Sequence, residues 1–237
     1  MKFVFFVMVA SCVFFSACSE DSPTEVSNTI VDFTLGSMTD SRDGQTYKTV
    51  TIGSQTWMAE NLNFGAMFSS CYESEVSNCD KYGRLYTWAV AMDSAGKWSA
   101  NGSGCSYNLL CSPTGVVRGV CPEGWHLPTG TEWATLFTEV GGSDLAGKML
   151  KSKSGWNNGG SGSDDYQFTA LPAGFREIFG MGYDSEGYRA DYWSSTDDNN
   201  GWSGYAYNMG SYDSRDGAFL DLNLKNSGYS VRCVKDL

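Results

Sequence analysis

Eight cysteines are distributed unevenly in this 237-residue chain, with two in its N-terminal segment and six beyond residue 70. Residues 3–15 form an apolar run behind Lys2, and this run is shorter than the about 20 residues that span a bilayer. A basic residue, a short apolar run and then small residues are typical of a secretory signal peptide. We therefore predict that the chain is exported to an environment in which disulfides form and persist.

The six cysteines that follow the leader form an even set, which predicts three disulfides in an exported domain. Two pairs are close in sequence and flank short polar stretches that suit local loop closure, and the last two cysteines are then left to each other. Other pairings stay open, because connectivity does not follow from spacing alone. A zinc site is not expected, because no Cys-x-x-Cys spacing is present. The pairs favoured in this way are Cys71 with Cys79, Cys105 with Cys111, and Cys121 with Cys233.

Alternating side chains predict a β-hairpin near the start of the domain. Residues 46–52 alternate and are rich in β-branched residues, Gly53 and Ser54 supply a turn, and residues 55–58 return. This combination is a standard hairpin signal.

Apolar side chains at helical spacing predict the helices that follow. The best defined helix begins at Thr129, where a capping box with Glu132 satisfies free backbone N–H groups, and it stops at Gly141 and Gly142. Two further helices are predicted at residues 85–94 and 145–151.

From residue 168 onward, aromatic and β-branched stretches predict strands. Two or three helices packed on a twisted, mainly antiparallel sheet define an α+β fold. The predicted strands are 168–175, 188–195, 205–209, 220–224 and 229–233.

The tetrapeptide that ends at Cys18, Phe-Ser-Ala-Cys, resembles the lipobox of bacterial lipoproteins, in which the cysteine becomes the lipidated first residue. The resemblance implies a signal peptide at 1–17, lipidation of Cys18, a polar tether at 18–36 and attachment to a membrane. Ser19 in place of an aspartate is similar to lipoproteins that are sent on to the outer membrane of a Gram-negative bacterium.

Four motifs occur in a fixed order: GSQTWMAENL at 53–62, CPEGWHLPT at 121–129, YWSST at 192–196 and SVRCVKD at 230–236. The set resembles the Fibrobacter succinogenes major paralogous domain family, and the resemblance extends from near residue 40 to the C-terminus.

That family is similar to proteins of the C-type-lectin-like fold, which include the formylglycine-generating sulfatase-modifying enzymes. The resemblance implies a C-type-lectin-like domain at 37–237, with residues 95–119 as an insertion. It also implies a long disulfide between Cys121 and Cys233, because in that fold a cysteine of the last strand is bonded back toward the helical region. No biochemical role comes with the resemblance.

The sequence favours a protein without enzymatic activity. His126 is the single histidine, and its position between Trp125 and Leu127 before a helix cap indicates packing. The sulfatase-modifying enzymes hold copper with a close cysteine pair near the C-terminus, whereas Cys233 stands alone here. Two enzymatic alternatives stay open: an enzyme similar to the sulfatase-modifying enzymes, and a hydrolase that uses a pair of carboxylates.

The chain has 27 acidic and 16 basic side chains, a net charge of −11, without a basic cluster. Nucleic-acid binding is therefore not expected, because phosphates would be repelled. No cofactor is expected, and the acidic loops are interpreted as solvated surface. Calcium is the alternative, because Ca²⁺ prefers oxygen ligands on loops. The candidate ligands are Asp164, Asp165, Asp197 and Asp198.

Aromatic residues with polar neighbours between residues 156 and 212 are the leading binding candidates. Tyr and Trp present an apolar face with a polar group, which suits sugar rings and protein partners. We predict a lipid-anchored cell-surface protein that binds a glycan or a protein; a structural envelope or adhesion component is the alternative. In this region Trp193 is expected in the core. The candidates are Trp156, Tyr183, Tyr188, Trp202, Tyr205, Tyr207 and Tyr212.

Overall fold

The computed structural model of the chain describes residues 32–198 and 205–237 and has the predicted α+β organisation. Four α-helices occur in this part of the chain, and none of them is long and apolar enough to cross a membrane. They are α1 (Val76–Tyr82), α2 (Trp88–Ala91), α3 (Gly130–Glu139) and α4 (Ser143–Leu150).

The strands are β1 (Phe33–Thr39), β2 (Thr46–Ile52), β3 (Gln55–Met58), β4 (Trp125–His126), β5 (Ala173–Arg176), β6 (Tyr183–Glu186), β7 (Arg189–Asp197), β8 (Tyr205–Tyr212), β9 (Ala218–Leu224) and β10 (Val234–Lys235). They form a five-stranded sheet in the order β1-β2-β3-β10-β4, a pair β5-β6 and a three-stranded sheet β7-β8-β9. Adjacent strands are antiparallel. Because β10 lies between β3 and β4, the C-terminal residues sit beside the N-terminal hairpin.

The predicted hairpin is confirmed by β2 and β3. Thr49 lies opposite Met58, and Ile52 lies opposite Gln55. Gly53 makes the turn with a φ of 57°, a conformation that a residue without a Cβ adopts easily.

The start of β1 corrects the predicted tether. The strand begins at Phe33, inside the segment 18–36, and Phe33 pairs with Ile52. The ring of Phe33 also packs against Tyr166, with ring centroids 6.0 Å apart. Residues 33–36 therefore belong to the folded domain, because pairing with β2 satisfies their backbone hydrogen-bonding groups.

The capping box at the start of α3 is confirmed. Thr129 Oγ1 accepts a hydrogen bond from the Glu132 backbone N–H at 3.1 Å, and Glu132 Oε2 accepts one from the Thr129 N–H at 2.7 Å. Trp133 and Leu136 of this helix are fully buried. The third predicted helix is also confirmed, as α4.

The predictions from local sequence patterns were less accurate for segments that pair with distant parts of the chain. The helix predicted at 85–94 is reduced to α2, because Leu85 and Tyr86 form bridges with Ser70 and Tyr229 instead. Similar bridges and the short β10 replace the strand predicted at 229–233, and only β5 remains of the strand predicted at 168–175. The sequence reading did not predict α1.

Disulfides and aromatic clusters hold these elements together. One buried cluster surrounds Trp88 and Trp193, and a second surrounds Trp57 and Trp133. The first cluster contains the long disulfide, which joins the start of the β4 region to the C-terminal end of the domain. The six cysteines form the favoured pairs Cys71–Cys79, Cys105–Cys111 and Cys121–Cys233.

Candidate functional site

Trp156, the first of the aromatic binding candidates, lies in the core. It is 7% exposed, and its Nε1–H donates to Ser152 Oγ at 3.0 Å. The ammonium of Lys151 lies 4.9 Å from its ring centroid. The ring of Trp156 is therefore packed inside the domain and does not present an open face to a ligand. Tyr192 and Trp193 are also fully buried.

The other described candidates are held in separate contacts. Tyr183 packs against Tyr72 with ring centroids 5.2 Å apart, and Tyr212 stacks on Phe219 at 5.1 Å. Tyr188 is 44% exposed. Outside the described part of the chain lie Trp202 and the side chains of Tyr205 and Tyr207.

A cleft of about 750 Å³ is found elsewhere in the domain. It is lined by β1 and β2, by residues 59–63, by the end of α1 and by residues 167–171. Two ammonium groups and two carboxylates line it, so the cleft has no net charge although the whole chain carries −11. The charged lining residues are Lys48, Lys81, Glu60 and Asp80.

Amide side chains are the other prominent lining groups of the cleft. The backbone N–H of Asn63 donates to the Tyr47 hydroxyl at 3.0 Å. Burial raises the pKa of Tyr47 far above its ordinary value, which keeps this hydroxyl protonated. The buried Asn63 Oδ1 has no hydrogen-bond partner among the described residues. The lining amides are Gln45, Asn61, Asn63 and Gln167.

The end of α1 is fixed against β6 beside the cleft. The Tyr82 hydroxyl donates to Glu186 Oε1 at 2.7 Å, and Lys81 Nζ lies 3.3 Å from the same oxygen. Burial raises the pKa of Tyr82, so the phenol remains a donor. Gly83 follows with a φ of 73°, and a Cβ there would lie 2.8 Å from the Cβ of Asn61. Glycine is therefore required where this wall meets the segment 59–63.

Two of the four sequence motifs meet under the cleft. Arg232 Nε donates to Asn61 Oδ1 at 2.9 Å, and Asn61 Nδ2 donates to the Tyr82 carbonyl at 2.7 Å. Arg232 is 0% exposed, and this burial lowers the pKa of its guanidinium. The motifs 53–62 and 230–236 thus join in one hydrogen-bonded unit.

Two of the calcium candidates are occupied by protein donors. Asp164 accepts hydrogen bonds from the Thr169 N–H at 2.7 Å and the Thr169 hydroxyl at 2.8 Å. Asp197 Oδ1 lies 2.7 Å from Lys225 Nζ, and Asp197 Oδ2 accepts from the Cys111 N–H at 2.6 Å. Across residues 32–198 and 205–237, no three His, Cys, Asp or Glu side chains gather where they could hold a metal ion.

His126 is held between two carboxylates and is 5% exposed. Its Nδ1 lies 2.7 Å from Asp236 Oδ1, and its Nε2 lies 2.8 Å from Glu132 Oε1. Burial opposes the charged ring, but the hydrogen bonds to Glu132 and Asp236 outweigh it and raise the pKa of His126. Because both ring nitrogens are engaged, this histidine has no free position from which to activate a nucleophile.

These features define a disulfide-bonded α+β domain with a polar, charge-balanced cleft at its N-terminal hairpin. The chain belongs to the Fibrobacter succinogenes major domain family, whose sequence profile matches residues 50–235. No curated protein and no solved structure was found to match the chain.

Sequence reasoning missed this cleft, although part of its lining lies in a recognised motif. Asn61 belongs to the motif at 53–62, and its partner Arg232 belongs to the motif at 230–236. The available signal was that Asn61 and Arg232 each lie within one of the recognised motifs. Nothing in the sequence around Gln167 indicated that this residue lines a cleft.

Proposed function

We propose that this protein is a cell-surface binding protein that takes a neutral carbohydrate chain in the cleft lined by Asn61, Asn63 and Gln167, without catalysis. The observation that carries the proposal is the composition of the cleft: amide and hydroxyl side chains with balanced charges. Sugar hydroxyls donate and accept hydrogen bonds, and an amide side chain can do both. The acidity of the rest of the chain would repel an acidic polymer.

The carboxylates of the cleft support binding rather than hydrolysis. Glu60 Oε2 accepts a hydrogen bond from the Lys48 backbone N–H at 2.7 Å, and Glu60 Oε1 lies 3.8 Å from Lys48 Nζ. A glycoside hydrolase needs two carboxyl groups that face each other across the scissile bond. One of the two carboxylates in this cleft, that of Glu60, is instead engaged with Lys48 of β2.

The proposal includes export, lipidation of Cys18 and a place at the outer membrane of a Gram-negative bacterium, on the strength of the leader and the lipobox resemblance. It also includes a C-type-lectin-like fold for the domain, on the strength of the sequence motifs. Residues 19–32 precede β1, and at about 3.3–3.6 Å per residue they would reach about 50 Å when extended. Such a tether would leave the cleft free to contact a polymer. A Cys18→Ala variant is expected to leave the membrane fraction.

Binding is tested by affinity electrophoresis of the full chain in gels that contain one polysaccharide each. We expect retardation by at least one of the neutral polymers, mixed-linkage β-glucan or galactomannan, and none by the anionic polygalacturonate. Retardation by neither neutral polymer would overturn the carbohydrate proposal and favour a protein partner or a structural role. Release of new reducing ends would instead favour the hydrolase alternative.

A further inference from the structure

We propose that Gln167 and Asn63 select the hydroxyl groups of the ligand, and that Arg232 is a positioning residue that holds the backbone presenting Gln167. This inference rests on the proposed carbohydrate function, since it names the contacts of the same cleft. Three observations support the inference: the strained loop from Asp164 to Thr169, the buried guanidinium of Arg232 and the Oδ1 of Asn63, unpartnered within the described part of the chain.

The loop from Asp164 to Thr169 has an unusual backbone. Asp164, Gln167 and Thr169 have φ values of 49°, 54° and 55°. Residues other than glycine seldom adopt this region, and a β-branched threonine adopts it least readily. Strained backbone of this kind persists only where the surrounding structure fixes it, and it is concentrated at functional sites.

Hydrogen bonds of two charged groups, the Asp164 carboxylate and the Arg232 guanidinium, hold the loop in place. The carboxylate of Asp164 accepts both hydrogen bonds that Thr169 can donate. The guanidinium of Arg232 donates to the carbonyl of Phe168 and, at 2.6 Å, to the carbonyl of Thr169. The exposed side chain of Gln167 is therefore carried by a clamped turn, which reduces the entropy that a ligand must remove on binding.

Arg232 connects three parts of the cleft wall. Its Nε donates to Asn61, whose side chain also donates to the carbonyl of Tyr82 at the end of α1. No carboxylate oxygen of the described residues lies within ion-pair distance of Arg232. A fully buried cation without an anionic partner is costly. The planar guanidinium donates hydrogen bonds to several fixed acceptors at once, and a lysine ammonium cannot reproduce this geometry.

Asn63 supplies an acceptor that the protein leaves unused. Its Oδ1 is buried and has no hydrogen-bond partner within the described chain, while its backbone N–H is taken by Tyr47. A buried acceptor without a partner is costly, and a hydroxyl donated by a ligand would remove that cost. Gln167 and Asn63 together offer the donors and acceptors that sugar hydroxyls require.

The first test compares full-chain variants in affinity gels with mixed-linkage β-glucan and galactomannan. Gln167→Ala and Asn63→Ala should each weaken retardation about three- to tenfold, as expected for one lost hydrogen bond. Asn108→Ala is the matched control, because Asn108 is an exposed amide residue with a φ of 61° outside the cleft. Equal retardation of the Gln167→Ala and Asn108→Ala variants would overturn the inference.

The second test addresses Arg232 with the conservative variant Arg232→Lys. Hydrogen exchange at the Gln167 and Thr169 amides should become faster, while exchange in α3 stays unchanged. In the Arg232→Lys background, Gln167→Ala should cause little further loss of binding, because the two residues act as a unit. Additive losses, or slow exchange at these amides, would overturn the positioning role. If the unaltered chain binds neither polymer, the proposed function fails, and the exchange experiment still decides the role of Arg232.

Discussion

His126 should make the stability of the domain depend on pH. The folded pKa of His126 is raised above its ordinary value of 6.5. Its contribution to stability is therefore fully present below pH 6.5 and is lost as the pH rises through the folded pKa. The pKa of Glu132 is lowered from 4.5; burial opposes this shift, but the hydrogen bond from His126 and those from Thr129 prevail. Glu132 thus stays ionised at pH 5.5, and a His126→Gln variant isolates the effect of the imidazolium.

The magnitude follows from two hydrogen bonds to charged groups. Each such bond contributes about 1.5–3 kcal/mol, but the Asp236 side chain is 48% exposed, so water replaces much of that partner. We expect His126→Gln to lower the free energy of unfolding by about 2–4 kcal/mol at pH 5.5 and by about 1 kcal/mol or less at pH 9.

Urea unfolding of the purified chain and the variant at both pH values measures this difference. Asp236→Asn is the matched control, and it should remove only the smaller part of the pH dependence. A loss of stability in His126→Gln that is equal at pH 5.5 and pH 9 would refute the reasoning, because it would show that the ring acts by packing alone.

Three further predictions concern the stability of the domain. Thr129→Ala should lower the free energy of unfolding by about 1 kcal/mol through loss of the N-cap, whereas Thr131→Ala, at an exposed position of the same helix, should change it by less than about 0.5 kcal/mol. Urea titrations check both, and equal effects would contradict the cap. Replacing the Cys121–Cys233 pair by serines should cost about 5 kcal/mol, against about 2.5 kcal/mol for the Cys71–Cys79 pair, because the first closes a much longer loop. Calorimetric unfolding would contradict this if the short pair proved the more costly. Trp156→Ala should lower stability by about 3–5 kcal/mol without changing polysaccharide retardation at a temperature where it remains folded; a specific loss of binding would return this residue to the site.

Elements that depend on neighbouring residues could be predicted from the sequence. The hairpin at Gly53 and the start of α3 at Thr129 follow from turn chemistry and from a capping box, both of which involve residues a few positions apart. The even count of six cysteines predicted three disulfides, and spacing together with the family resemblance favoured the pairs that the structure shows. The helix expected at 85–94 failed because Leu85 and Tyr86 are used by chain crossings that a local pattern does not contain.

The candidate site could not be predicted in the same way. The cleft is assembled from the hairpin, residues 59–63, the end of α1 and residues 167–171, which are far apart in the chain. Aromatic residues with polar neighbours drew attention to Trp156, but composition does not tell which face of a segment is buried. Gln167 lies between two aromatic residues after a polar loop in the sequence, and the backbone that presents it is held by Arg232, 65 positions later.

The central claim, that the cleft takes a neutral carbohydrate, is tested most directly by acetylation footprinting of the lysines. Lys48 and Lys81 line the cleft with side chains that are 79% and 57% exposed, and the exposed Lys153 lies outside it. Added mixed-linkage β-glucan or galactomannan should slow acetylation of Lys48 and Lys81 and leave Lys153 unchanged. Unchanged acetylation of Lys48 and Lys81 with a polymer that the chain binds would contradict the placement of the ligand in this cleft.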